Sequence, residues 1–395
     1  MVSELFSRIP ELESRNSNFA YFCSFSDQQR TEGREILFTA DSEPLSGKGP
    51  IPPSVLKLTE SLGGMFPPGS AAYLPVLISY DYLQNIFSYR LKQGSGWPHY
   101  SVLVPESIEL SNFSRPEGGI LPGIRRPELA ADERRLLSSS ISEVRDLIRD
   151  GEMLQAVISH GFKMPSAISL YDLARNFLLN DRSRYVYYYS LGDFRIVGSS
   201  PENIFRQSGR ELLVSPIAGT RPRTGSGGGN GLVQDLISDQ KETSEHRMLV
   251  DLARNDLARV SETGSVRVTM DMVPEEFSSV IHLVSMVQSR ARKGVTPLES
   301  LGSIFPAGTV SGAPKLRAIQ TIDRFEAAPR GGYSGGIGII GPQIADIALG
   351  IRTLFSSPEG NYTQAGAGIV KDSDPEREVD EILAKAGTVV SGVRA

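Results

Sequence analysis

A single cysteine, Cys23, in a chain of 395 residues excludes an intrachain disulfide and any cysteine-rich zinc site. Histidine is scarce too: His99, His160, His246 and His282 are the whole set. There is no basic surplus, since 41 Lys and Arg face 46 Asp and Glu for a net charge of −5. That balance argues against a protein that holds nucleic-acid backbones, which needs an excess of cations. No run approaches the roughly 18 apolar residues of a membrane helix. The polar, acidic segment Met1–Ala20 has no apolar stretch of the kind a secretory signal carries. These absences point to a soluble, cytoplasmic protein. What is present suffices for a core: 39% of residues are apolar and 22% charged. The length fits two or three domains or one large α/β unit.

Residues 1–125 are rich in Gly, Pro and Ser, and Ser46–Pro53 reads as loop. Apolar runs such as Ala71–Ile78 read as strands. Three prolines and three glycines make Arg115–Pro127 a candidate linker, which separates an N-terminal region, 1–125, from a second part, 128–395. There the pattern turns regular. Leu137, Ile141, Val144, Leu147 and Ile148 follow helical spacing, and Asp150-Gly151 ends the run. Ala156–Ile158 and Tyr185–Tyr189 are β-branched and aromatic, as strands are. Leu232 to Val260 has the pattern of one long helix. The glycines of Gly225–Gly231 match no phosphate-binding fingerprint and read as flexible loop. Alternating strands and helices make the fold class α/β or α+β with large sheets.

Two acidic pairs stand out. Glu242 and Glu245 are three residues apart, as are Glu378 and Glu381, so on helices each pair shares a face. Four such oxygens suit Mg²⁺ if the helices meet; two solvated helix faces satisfy the same spacing. His282 lies in the apolar run Val280–Val284, either as a hydrogen-bonded core residue or as a general acid or base. Three segments rich in small residues, Pro216–Arg221, Phe305–Lys315 and Gln364–Gly368, let backbone N–H groups approach an anion. Arg352 could fork onto a carboxylate.

Taken in order, Ser200–Glu202, Pro216–Arg223, Lys241–Arg259, His282–Ser285, Phe305–Lys315 and Gln364–Val370 resemble the chorismate-utilising enzymes, specifically component I of anthranilate synthase. The likeness is dense over about 128–395 and loose before it. It implies a large sandwich of antiparallel sheets flanked by helices. It also implies a lyase that turns chorismate and ammonia into anthranilate and pyruvate with Mg²⁺, the committed step towards tryptophan. By motif position Glu245 and Glu381 resemble direct metal ligands, and Glu242 and Glu378 resemble carboxylates holding metal-bound water. Tyr333, Arg352, Gly366, Gly368 and Lys385 match positions that bind chorismate, with Gly219, Thr220 and Thr309 lining the same pocket. Glu202 matches the general acid for loss of the ring 4-hydroxyl, and His282 the residue tied to the later elimination.

Sister enzymes on this scaffold differ at two positions. Aminodeoxychorismate synthases usually carry a nucleophilic lysine where Ala218 stands. Isochorismate and salicylate synthases activate water with a lysine where Gln155 stands. Both residues here therefore favour ammonia as nucleophile over those alternatives. A non-catalytic chorismate-binding regulator is disfavoured, because every metal and acid position is filled. His160-Gly161 departs from the two arginines common after the position of Ser159.

Glutamine hydrolysis needs a cysteine nucleophile with a histidine partner. Cys23 sits in the strand-like Tyr21–Ser24 without a nucleophile turn, so the resemblance implies a separate glutamine amidotransferase subunit. Tryptophan-sensed relatives usually carry Leu-Leu-Glu-Ser and Asn-Pro-Ser-Pro-Tyr-Met motifs. Here the first reads Glu11-Leu12-Glu13-Ser14, keeping Glu13 and Ser14 as candidate effector ligands, while the second reads Asp181–Val186 with arginines for both prolines. Two long cations suit an indole pocket poorly. Tryptophan should bind weakly or not at all; tight, saturable binding in calorimetry together with lost activity would contradict this.

Overall fold

Tyrosines 185, 187, 188 and 189 are all buried on one strand, because both of its faces are covered. Tyr185, Tyr187 and Tyr189 enter the core between two sheets; Val186 and Tyr188 enter a second core on the outer side. Period-two alternation thus runs between two apolar layers rather than between core and water. In the computed structural model the described residues are 2–26, 30–116, 126–222, 229–276 and 280–392.

Up to residue 116 the chain supplies α1 (Glu4–Ser7), α2 (Ile9–Ser14), β1 (Asn18–Phe25), β2 (Glu32–Ala40), β3 (Leu45–Gly47), α3 (Pro53–Lys57), β4 (Leu74–Ile78), β5 (Tyr100–Val102) and β6 (Ser107–Ser114). Residues 126–222 add α4 (Ala131–Arg149), β7 (Gln155–Met164), α5 (Leu170–Asn180), β8 (Tyr185–Leu191), β9 (Phe194–Ser200), β10 (Asn203–Ser208), β11 (Glu211–Val214) and β12 (Ile217–Pro222). Then come α6 (Gly229–Ser238), α7 (Gln240–Ala258), β13 (Arg267–Glu276), β14 (Val280–Arg290), α8 (Pro297–Ile304) and β15 (Gly312–Ala313). The chain ends with α9 (Lys315–Phe325), β16 (Gly336–Ile340), β17 (Ile344–Leu349), β18 (Thr353–Ser357), β19 (Gly360–Ile369) and α10 (Pro375–Gly392).

One sheet runs β15-β7-β19-β18-β9-β8-β1-β2-β6, the other β12-β14-β11-β10-β17-β16-β4-β5-β3 with β13 also on β14. The pairings are antiparallel throughout. Both sheets draw strands from either side of residue 125. Phe22, Phe38, Val76, Phe205, Ile337 and Ile347 fill the space between them. A third core, with Ile141, Val144, Ile158, Ala367 and Ile382, seats α4, α9 and α10 on β7 and β19. Among the described residues no helix is long and apolar enough to cross a membrane.

Several sequence expectations need correction. The single helix expected over Leu232–Val260 is two helices, because the Asp239 carboxylate accepts from Glu242 N at 3.3 Å and starts α7 afresh. Gly229 and Gly231 belong to α6, whereas 225–228 of the expected loop lie outside the described residues. The segment Ser46–Pro53 begins inside β3, held by three residues of β5, and ends on the first residue of α3. Arg115 does not open a linker. It is buried, donating from Nε to Leu178 O and from Nη1 to Arg30 O, and 117–125 of that stretch lie outside the described residues.

Charge is buried where the elements meet. Arg330 donates to Glu326 from Nε and Nη2 (2.9 and 2.7 Å), to Val310 O and Ser334 Oγ from Nη1, and to Val157 O from Nη2. Glu326 in turn accepts from Ser159 N and Oγ. The side chains are 1% and 5% exposed, so removing one strands the other charge in a medium that solvates it badly. Arg330→Ala should therefore cost about 3–5 kcal/mol, read from urea unfolding. The Arg330→Met, Glu326→Leu double variant should cost clearly less; equal losses would show that charge pairing is not the source.

Candidate active site

A cavity of about 210 Å³ opens where the first turns of α7 and α10 face β12, β14 and β19. From α7 it takes Glu242 and Glu245, and from α10 Glu378, Glu381 and Lys385. The i, i+3 spacing puts each carboxylate pair on one helix face, and both faces line the same cavity. Lys385 Nζ lies 2.7 Å from Glu381 Oε1 and donates to Gly366 O at 3.0 Å. Among the described residues no three His, Cys, Asp or Glu side chains are gathered as they stand into a set that would hold an ion. The donor chemistry nevertheless fits a hard divalent cation: the acidic side chains are all carboxylates, and one of them, Glu381, is paired with the Lys385 ammonium group.

Glu202 follows the corner between β9 and β10, 5% exposed. Its Oε1 accepts from the Thr309 hydroxyl at 2.7 Å. Burial pushes its pKa up to about 8, although Thr309, Lys385 and Arg352 all pull it down. At neutral pH Glu202 is therefore an acid with a proton to give, carried on Oε2 because Oε1 takes Thr309's.

His282 on β14 is likewise buried in the wall. Its Nδ1 lies 2.9 Å from Gly219 O, and its Nε2 lies 3.1 Å from Arg352 Nη2. Guanidinium only donates, so Nε2 is the acceptor and Nδ1 carries the hydrogen given to Gly219. Burial, then the charges of Arg352, Lys385 and Arg30, push its pKa down to about 3. Gly219 reaches His282 because β12 bulges there, at φ +69°, a conformation that favours glycine. Arg352 holds a left-handed φ of +50° in the turn before β18, which aims its guanidinium into the cavity.

Gly366, Gly368 and Gln364 enter from β19, with Gln155 opposite on β7. A Cβ on Gly368 would stand 2.5 Å from Gln155 Nε2, so a larger residue there would turn that amide out of its present place. Gln155 is buried, and among the described residues its Oε1 has no hydrogen-bond partner. Ala218 and Tyr333 complete the wall. Thr220 belongs to β12, but its side chain lies outside the described residues. Glu13 and Ser14 stand elsewhere: Tyr188 donates to Glu13 from β8, and Ser14 caps Glu11 O. The first effector-like segment thus lies against β8, whose opening residues end the second. There Arg184 is half-buried, and among the described residues its Nε finds no hydrogen-bond partner.

Residues 105–391 match the model of the chorismate binding enzyme family. The chain belongs to the chorismate-binding enzymes. It is 39% identical over 321 residues to anthranilate synthase component 1 of Methanothermobacter marburgensis, covering 80% of this chain and 67% of that protein. It is 44% identical over 253 residues to the Neisseria meningitidis serogroup B protein of that name, covering 63% and 51%. The chain thus aligns with about half to two thirds of these curated relatives' length. The crystal structure of anthranilate synthase component I from Streptococcus pneumoniae superposes with a TM-score of 0.71 at 29% identity, over 94% of this chain and 92% of that one.

In this chorismate-binding chain the positioning residues escaped sequence reading. Glu326 and Arg330 have the i, i+4 spacing of a surface pair, and nothing local marks them as buried. Gln364, in a quoted segment without a role, donates to Ser159 Oγ at 2.9 Å and lines the cavity.

The raised pKa of Glu202 has a stability consequence. The folded state holds this proton up to about pH 8, whereas the unfolded chain releases it near 4.5. Stability from this group is therefore full below the lower value and is lost as pH rises between them, about 1.4 kcal/mol per pH unit. Glu202→Gln should flatten that decline, so that the variant gains on the native protein between pH 6 and pH 9 in urea unfolding. Parallel pH profiles for the two would refute the assignment.

Proposed function

We propose that this chain is an anthranilate synthase component I, converting chorismate and ammonia into anthranilate and pyruvate with Mg²⁺, with ammonia supplied by a separate glutamine amidotransferase subunit. The observation that carries it is the cavity wall itself. A buried neutral acid, Glu202, shares the wall with Ala218 and Gln155 at the positions where sister enzymes use lysine. The names of the aligned relatives support it as well.

Glu242, Glu245, Glu378 and Glu381 would hold the metal, which when bound fixes a substrate carboxylate and offsets its charge. The remaining work falls to this chain's own side chains. Arg352 and Lys385 bind carboxylate. Glu202 Oε2 hands its proton to the departing ring 4-hydroxyl, which leaves as water while ammonia attacks ring carbon 2 and the ring double bonds shift. Gln155, neutral and with a spare acceptor, cannot deprotonate water as lysine would, but it can accept a hydrogen bond from ammonia. His282 then takes the proton from carbon 2. Cys23 is buried, and burial pushes its thiol pKa up, so it is no nucleophile for glutamine.

With chorismate, Mg²⁺ and ammonium, anthranilate fluorescence should appear, and glutamine should not replace ammonium. Glu245→Gln and Glu381→Gln should each lower turnover roughly a thousandfold while leaving the fold intact. Undiminished activity in excess chelator, or glutamine-dependent activity of the chain alone, would overturn the respective assignment.

A further inference from the structure

His282 is placed as a base, yet the nitrogen it would use is taken. Its Nδ1 hydrogen is committed to Gly219 O, which leaves Nε2 as the only basic site, and Nε2 accepts from Arg352 Nη2. A lone pair engaged by a guanidinium cannot also receive a proton from carbon. The same guanidinium is a group on the cavity wall suited to a carboxylate. One cation thus stands between two acceptors, a neutral imidazole and whatever anion enters.

We propose that Arg352 is a latch on His282: in the free protein its Nη2 blocks Nε2, and a substrate carboxylate entering the cavity draws the guanidinium away and frees the imidazole. The inference rests on the chorismate reading above and adds how the base is switched on. Carboxylate outcompetes imidazole for Arg352 because it brings a full negative charge and can accept two parallel N–H bonds, where the neutral imidazole accepts one. The main chain of Arg352 is held by its turn, where Ser199 N donates to Arg352 O, so the exchange needs only side-chain rotation. The fixed partner is Gly219, which keeps the ring oriented while Nε2 changes hands.

Once released, Nε2 takes the proton from ring carbon 2. The electron pair left behind closes the aromatic ring as the ether C–O bond breaks, and pyruvate leaves as its enolate. In the free protein His282 is a poor base, so the proton can be removed only after a carboxylate has bound. Elimination is thereby confined to the loaded site. The other charges around the ring do not perform this exchange. Lys385 is engaged by Glu381 and Gly366, Arg30 by Glu275 and Arg182 O, and Glu202 by Thr309. Glu275 faces His282 across β13 and β14 in register, but its carboxylate goes to Arg30.

Nitrogen NMR of ¹⁵N-histidine-labelled protein tests this, with His282→Gln identifying the resonance among four. In the native free protein the His282 signal should stay that of a neutral ring from pH 8 to pH 5. In Arg352→Gln its titration midpoint should climb by about one pH unit or more, since a neighbouring like charge is gone. Adding 3-(1-carboxyvinyloxy)benzoate with Mg²⁺ to native protein should shift Nε2 in the same sense; this probe carries both carboxylates and no hydroxyl to lose. An unmoved Nε2 in a complex that calorimetry shows to be saturated overturns the latch, and so does an unmoved midpoint in a folded Arg352→Gln. Should that variant not fold, the probe on native protein decides. Failure of the probe to bind at all overturns the chorismate reading, and the ligand-free variant then still decides the latch.

Discussion

The Arg330 guanidinium is the interaction on which the site's geometry depends. Its donors reach the Glu326 carboxylate at the end of α9, a carbonyl of β7, a carbonyl of the turn carrying Thr309, and a hydroxyl in the stretch carrying Tyr333. Through Glu326 it also holds Ser159, and Ser159 holds Gln364. One buried cation therefore sets the relative positions of Gln155's strand, the hydroxyl that touches Glu202, and the strand of Gly366. A salt bridge this dry adds little net stability over an apolar substitute; what it adds is a single arrangement of several backbones.

Around that frame the cavity separates its protons by environment. Burial outweighs the pull of Thr309, Lys385 and Arg352 and leaves Glu202 protonated, whereas burial reinforced by Arg352, Lys385 and Arg30 leaves His282 neutral. The same low dielectric thus keeps the proton on a carboxyl and withholds one from an imidazole, two opposite shifts at one pH. Opposite shifts of that kind mark a reactive site more sharply than the residue types alone.

Much of this was legible in the sequence, for reasons that differ by element. β8 could be read because β-branched and aromatic residues crowd it, and α4 because its apolar residues keep helical spacing to Asp150-Gly151. The acidic pairs could be placed on helix faces, but only the fold brings α7 and α10 to one cavity. The break at Asp239 was hidden, since an apolar pattern continues across it and the cap is a single side-chain contact. The Glu326–Arg330 pair was hidden because periodicity reports which face a residue takes, not what covers that face. The junction of early strands with late ones was illegible for the same reason: β1 finds β8 more than 160 residues later in the chain, as Phe19 with Ser190 shows.

Those distant pairings bear on how the chain is made. Ala156 on β7 pairs with Ile369 on β19, and Val76 on β4 with Gly338 on β16. During synthesis neither sheet can close until β16 and β19 have left the ribosome, and at about 5–20 residues per second that is a wait of many seconds after β4 and β7. Through that interval the apolar faces and open edges of β4, β7 and β8 are exposed to other nascent chains. What this topology puts at risk is therefore the yield of folded chain rather than its final stability.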